Sequence, residues 1–299
     1  MQLRGDVDWA LARLGLSAVD VGGVSLREWE GVDQIVIARF APEAALIFPH
    51  AGAANIRRVL QEFARAGLGP IAGTDPLGAF PEAKDLFEAR LLQALSRAES
   101  PLAIDVLLYQ PNRWATAGGH PERTMSDAES RKLKRLIDPP LVVALGGPNI
   151  GKSSLLNSLA GRRVSLVADE PGTTRDHVGV RLDLAGLVVQ YIDTPGIEAN
   201  PEGSGAIQAE AQRLALDAAR AADLVLLCAD GGSTYRTAPN TGAQTVRIGL
   251  RADLGLPREG CDLAVSARTG AGLEQLVALL REELVPGRLL TDNRPWKFW

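Results

Sequence analysis

The spacing of apolar positions changes character near residue 140. Before it, apolar runs are short and interrupted. Asp6 stands where it would cap a helix carrying Trp9, Leu11 and Leu14 on neighbouring faces. QIVIARF and AALIF read as two strands joined by a turn at Ala41–Pro42. AANIRRVLQEFARAG has helical spacing at Ile56, Leu60 and Phe63, with Gly67 placed as a C-terminal cap. Residues 82–110 also carry a helical pattern, broken at Ser100–Pro101, with Leu91, Leu95, Ile104, Leu107 and Leu108 as packing stripes. ATAGGHP predicts a flexible break. Ser126-Asp-Ala-Glu129 has capping-box form and opens a short basic helix ending near Ile137, which Asp138-Pro-Pro140 stops.

From Leu141 the pattern becomes strand–helix alternation. LVVALGG, VGVRLDL, LVVQYID, DLVLLCAD, TVRIGL and DLAVSA are strand candidates, with helices expected at 152–160, 205–221 and 271–284. This order predicts a three-layer α/β domain with a mostly parallel sheet and one antiparallel hairpin at Ala185-Gly186. The link from Asp230 to Thr245 is close to the minimum for a parallel return. The implied organisation is a small α/β domain over 1–75, a helical connector over 76–138, the larger α/β domain over 139–287 and a tail over 288–299.

Composition narrows the class. The chain has 299 residues and a net charge of −4, so it is no protein coated in basic residues, although a local basic patch stays open. No apolar run approaches the ~18 residues that span a bilayer, so no membrane is expected. MQLRGDVDWALARLG carries charges where a signal peptide needs an apolar core. Cys228 and Cys261 lack metal-like spacing and read as reduced thiols, which points to a cytoplasmic protein.

Candidate chemistry begins where the first fully apolar run meets a helix. Gly146-x-x-x-x-Gly151-Lys152-Ser153 fits the phosphate-binding loop pattern. Glycine backbone lets successive N–H groups point at phosphate oxygens, and the helix N-terminus adds favourable charge. The phosphate-side residues are therefore Gly146, Asn149, Ile150, Gly151, Lys152, Ser153 and Ser154. Lys152 would bridge the β- and γ-phosphates and Ser153 would offer its hydroxyl to Mg²⁺. Asp193-Thr-Pro-Gly196 ends the third strand, where the carboxylate can hold the metal and the Gly196 backbone can meet the γ-phosphate. Upstream, Gly172-Thr173-Thr174-Arg175-Asp176 offers a switch threonine, Thr174, to complete the metal's coordination. Asp253 could accept from guanine's ring N–H and amine, and Ser266-Ala267-Arg268 could present the Ala267 N–H to its carbonyl. Adenine presents the reverse pattern, which supports GTP/GDP over ATP.

GPNIGKSS, GTTRD, DTPG and SAR together resemble the translation-factor-related bacterial GTPases, and GTTRD in particular resembles the TrmE/MnmE tRNA-modification GTPases. VDQIVIARFAPEAALIFPHAGAANIRRVL is similar to a worn version of that family's first domain. RAESPLAIDVLLYQPNRW occupies the place of its helical segment ahead of the G domain. The resemblance implies a P-loop G domain behind a dimerisation domain, Mg²⁺-dependent GTP hydrolysis, wobble-uridine tRNA modification and a homodimer. It further implies a K⁺ ion held by Asn149, by carbonyls of the loop Ala168–Pro171 and by the Thr173 hydroxyl. Such a charge between phosphates takes the place of an arginine finger, worth roughly 10³–10⁵ in rate. Turn geometry alone would also account for Asn149.

The implied catalytic set is Lys152, Thr174 and Gln208, the last near the family's water-activating glutamate, with Glu210 as a nearby substitute. Leu250-Arg251-Ala252-Asp253 departs from the family's Asn/Thr-Lys-x-Asp. Leucine cannot hydrogen-bond the base, while the stem of Arg251 can still cover the ring. The family's second helical stretch and near-terminal cysteine have no counterpart in LLTDNRPWKFW, and its folate-binding signature is not kept. Two other readings stay open: a ribosome- or RNA-associated regulatory GTPase, and a non-hydrolysing nucleotide-binding scaffold. Arg131-Lys-Leu-Lys-Arg135 either touches RNA phosphates or is the wet face of an amphipathic helix with Leu133 and Leu136 inward. Trp296, Phe298 and Trp299 predict a tail docked on the protein, or one that binds a partner.

Overall fold

The computed structural model describes residues 1–69, 75–118, 120–163, 179–196, 206–236 and 242–299. Among these, Met1–Ala89 form one compact unit and Arg90–Trp299 another.

In the first unit, β1 (Gln2–Arg4), β2 (Val24–Trp29), β3 (Asp33–Ala41) and β4 (Ala44–Phe48) form an antiparallel sheet in the order β1-β4-β3-β2. Ile35, Ile37 and Ile47 point to one face and share a core with Leu11, Trp29 and Val59. The helix Val7–Arg13 starts as predicted: the Asp6 carboxylate accepts from the Trp9 N–H at 2.9 Å. Strands β3 and β4 match the two predicted runs, whereas β1 and β2 were not predicted. The reason lies in β2. Its inward positions are Ser25, Arg27 and Trp29, while Val24 and Leu26 are exposed, so its alternation is inverted. The predicted stripe on helix Ala53–Arg65 also needs correction. Its inward face is Val59 with Phe63, and Ile56 and Leu60 are exposed.

The second unit contains helices Pro101–Leu108, Gln110–Ala117 and Asp127–Lys134, and the division from the first unit falls inside helix Leu86–Arg97. The predicted flexible break at ATAGGHP begins as helix: the helix continues to Ala117, and Gly118 caps it in the left-handed region at φ +61°. Of the predicted stripes Leu91 and Leu107 are buried, whereas Ile104 and Leu108 are exposed and Ala94, Ala103 and Val106 take the inner positions. The capping box is complete, with the Ser126 side chain accepting from the Glu129 N–H and the Glu129 carboxylate accepting from the Ser126 N–H. Leu133 and Leu136 are fully buried beneath it, as an amphipathic helix requires. The tail docks: Pro295 O accepts from Met125 N at 2.8 Å, Trp296 is completely buried and Phe298 packs against it edge-on.

The larger sheet consists of β5 (Leu141–Gly146), β6 (Val180–Leu184), β7 (Leu187–Asp193), β8 (Leu224–Ala229), β9 (Gln244–Gly249) and β10 (Leu263–Ala264), in the order β10-β9-β8-β5-β7-β6. All pairings are parallel except the β6–β7 hairpin, whose two turn residues, Ala185 and Gly186, both have positive φ. Every residue of β5 and β8 is buried, as central parallel strands demand. Helices Lys152–Arg163, Ala206–Ala221 and Leu273–Leu284 match the three predicted ones. The carboxyl ends of β5, β7, β9 and β10 lead into the loops that carry the predicted site, the usual place for a ligand in such a sheet.

Candidate nucleotide site

The phosphate side is built on the turn from β5 into helix Lys152–Arg163. Gly146 must lack a side chain, because a Cβ would stand 2.5 Å from the Cys228 carbonyl oxygen. Asn149 (φ +58°) and Gly151 (φ +105°) give the loop its left-handed turns, and Ile150 is buried as its apolar anchor. Lys152 is only 6% exposed, and its Nζ donates to the carbonyls of Gly147 at 2.7 Å and Gly146 at 3.3 Å. Burial pushes the Lys152 ammonium below its usual range, and Asp193 and Cys228 oppose that shift.

Asp193 ends β7 beside this loop. Ser153 Oγ donates to its Oδ2 at 2.5 Å, while Oδ1 is buried and has no partner among the described residues. Thr194 fixes the following turn by donating to Ala144 O at 2.6 Å. Gly196 lies so close to the loop that a Cβ would fall 2.3 Å from Pro148 Cα. A hydroxyl and a carboxylate with one unsatisfied buried oxygen suit Mg²⁺, which takes few protein ligands and leaves room for phosphate and water.

The base side is a cleft of about 170 Å³ whose walls include Gly151, Leu250, Arg251, Asp253, Ala267 and Arg268. Asp253 Oδ1 accepts from Ser266 Oγ at 2.5 Å, and Oδ2 accepts from Arg268 Nε and Nη2 at 2.9 and 2.8 Å. The Ser266 hydroxyl, then Arg268, holds the Asp253 carboxyl below the usual carboxylate range. Ser158 Oγ donates to Ala267 O at 3.2 Å, and the Ala267 N–H has no partner among the described residues. Arg251, itself at φ +52°, donates to Asp230 Oδ2 at 3.3 Å and to Asn149 O at 2.5 Å, and so ties the base loop to the phosphate loop.

The structure thus brings Gly146, Asn149, Ile150, Gly151, Lys152, Ser153, Ser154, Asp193 and Gly196 together on the phosphate side. Arg251, Asp253, Ser266, Ala267 and Arg268 gather around the base cleft. Thr173, Thr174 and the loop Ala168–Pro171 lie outside the described residues. Gln208 falls in the first turn of helix Ala206–Ala221, its side chain also outside them. Glu210 is held in an exposed pair with Arg213 at 2.6 Å. Asp230, Ser158 and Thr194 were not predicted. The partners of Ser158 and Thr194, and the Arg251 partner of Asp230, lie on other elements, and no local spacing announces them.

A mostly parallel sheet with this loop at its central strand, an Asp-x-x-Gly turn and an Asp253/Ala267 cleft defines the P-loop GTPase domain. The family model described as 50S ribosome-binding GTPase matches residues 141–249. The chain is 35% identical to the tRNA modification GTPase MnmE of Acidiphilium cryptum, over 93% of this chain and 61% of that protein. It is 36% identical to MnmE of Azorhizobium caulinodans over 69% of this chain and 48% of that one. It is 41% identical to MnmE of Chelativorans sp. over 51% and 34%. The chain is similar to the MnmE-type tRNA modification GTPases, and it spans at most 61% of the length of these relatives. No described helix is long and apolar enough to cross a membrane.

Proposed function

We propose that the protein binds GTP and hydrolyses it to GDP and phosphate with Mg²⁺, assisted by K⁺, and that it acts in tRNA modification as its relatives' name describes. The observation that carries this reading is Asp193, with one oxygen on Ser153 and the other buried without a partner, beside the buried Lys152. Lys152 exchanges its loop carbonyls for phosphate oxygens, and the N–H groups that open its helix cradle the remaining charge. Ser153 and Asp193, with Thr174, would hold the Mg²⁺, which would neutralise charge on the phosphates. Asn149 and Thr173 would hold the K⁺. The Gly196 N–H meets the γ-phosphate, and Gln208 orients the attacking water. Asp253 and Ala267 read the base.

The first unit supports a homodimer: Val24, Leu26 and Phe48 lie exposed on one face of its sheet, an apolar surface that a second copy would cover. The test is steady-state hydrolysis of GTP and ATP in potassium and in sodium at equal ionic strength. GTP turnover is expected to be faster in potassium, to lose that advantage in Asn149→Ala and to vanish in Lys152→Ala. Nucleotide binding without turnover in either salt would replace the hydrolase reading with a scaffold.

A further inference from the structure

The helix Asp127–Lys134 and the residue after it carry a charge surplus that the nucleotide site does not use. Leu133 and Leu136 are fully buried, while Arg131, Lys132, Lys134 and Arg135 line a groove of about 540 Å³ together with Asp138 and Asp223. Each acid of the helix and of the groove already has its own cation. Asp127 is paired with Lys297 at 3.1 Å, Glu129 with Arg294 at 3.0 Å, Asp223 with Arg135 at 3.1 Å, and Asp138 with Arg97. Lys134 Nζ donates to the neutral Trp299 carbonyl at 2.6 Å, so its charge is uncompensated. Arg131 and Lys132 have no ion partner among the described residues. Three cations therefore stand in surplus at Arg131, Lys132 and Lys134, in a chain whose net charge is −4. The negative end of this short helix opposes an anion by only about half a charge. Lys132 and Lys134 are half-buried, so their stems lie along protein while their ammonium groups stay in water.

We propose that this groove docks the phosphate backbone of an RNA, away from the nucleotide cleft and without reading base sequence. The choice of RNA rests on the proposed role in tRNA modification, and the groove itself rests on the charge surplus. Successive uncompensated cations along one groove match a chain of phosphates, contacts that fix position and carry no base information. A bilayer surface matches less well, because the large apolar residues here, Leu133, Leu136 and Ile137, are buried and have nothing to insert.

The experiment measures binding of fluorescently labelled total tRNA to the full chain by anisotropy, between about 50 and 200 mM potassium chloride. Three phosphate contacts predict a roughly 20- to 40-fold loss of affinity over that range. Arg131→Gln/Lys132→Gln removes two of them. The loss with salt is then expected to shrink to about threefold, and affinity at the lower salt to fall about tenfold or more. Arg57→Gln/Arg58→Gln makes the same change of net charge on exposed positions of helix Ala53–Arg65, and should leave both values within about twofold of native. Urea midpoints that match the native one in both variants separate a lost contact from a lost fold. Equal effects of the two variants, or native salt dependence in Arg131→Gln/Lys132→Gln, would overturn the groove and leave the RNA reading standing. Absence of tRNA binding by the native protein would remove the RNA reading and this inference together. Tighter binding to phosphatidylserine vesicles than to tRNA would overturn RNA as the occupant.

Discussion

Replacing Asp253 by asparagine puts the base-reading geometry under the most direct strain. The carboxylate would accept from two guanine N–H groups, and hydrogen bonds to a charged group are worth roughly 1.5–3 kcal/mol each, about 3–6 kcal/mol together. Against this stands the Arg268 pair, which must open for the base to seat. Arg268 is 74% exposed, so the pair is screened and worth only about 0.2–1 kcal/mol. The balance, about 2–6 kcal/mol, corresponds to a roughly 30- to 10⁴-fold loss of GDP affinity. An asparagine amide keeps one acceptor and turns the other into a donor. That arrangement suits xanthine, which has a carbonyl where guanine has its amine. Displacement titration of Asp253→Asn with GDP and XDP is therefore expected to show GDP weakened at least about 30-fold and XDP strengthened. In the same assay Arg268→Ala is expected to tighten GDP about 1.5- to fivefold, since the competing pair is gone. GDP affinity within threefold of native in Asp253→Asn, or no gain for XDP, would refute the reasoning.

Three further perturbations probe other parts of the molecule. Trp296→Ala empties a fully buried site at the docked tail and should cost about 3–5 kcal/mol in urea unfolding; a loss below about 1 kcal/mol would show that the tail is no part of the core. Gly196→Ala drives a carbon into the Pro148 backbone, and GTP turnover should fall about 10²-fold, as when one backbone donor is lost, with GDP affinity retained. Glu129 is held at about 2, well below the ordinary 4.5, by the Ser126 N–H, the Ser126 hydroxyl and Arg294. Its folded value lies below its unfolded one, so the stabilisation is complete above about pH 4.5 and is lost as pH falls toward 2. Native urea midpoints should accordingly converge with those of Glu129→Gln between pH 5.5 and 2.5, and parallel curves would contradict the assignment.

The parts of this fold that were legible are those in which local chemistry and global position agree. Strands β5 and β8 announce themselves as unbroken apolar runs because both faces are covered, and the loop after β5 needs glycines at fixed spacing because Gly146 meets the Cys228 carbonyl. Strand β2 was illegible because its inward residues include Ser25 and Arg27 while Val24 and Leu26 face outward. The helix Ala53–Arg65 presents two apolar stripes, and only packing against Trp29 decides that Phe63 and Val59 turn inward. The site shows the same division. Lys152 and Ser153 are adjacent in a motif, whereas the bridge from Arg251 to Asn149 joins residues 102 positions apart and exists only because β5 lies two strands from β9.

The two halves of the site are unequally equipped, and that inequality bears on how selectivity arises. On the phosphate side, Lys152, Ser153, Asp193 and Gly196 converge, and groups that meet charged oxygens form the stronger, charge-assisted bonds. On the base side Leu250 carries no polar side-chain atom, and on the proposed reading Asp253 and the Ala267 N–H tell one base from another. On that reading, affinity and discrimination are carried by different residues. Loss of Lys152 should weaken all triphosphates alike, while loss of Asp253 should change their order. Arg251 touches both halves, donating to the Asn149 carbonyl while its stem lies over Gly151. Its removal should loosen the loop that holds phosphate as well as uncover the base, so it is expected to lower affinity for every guanine nucleotide without changing the ratio of GDP to ADP.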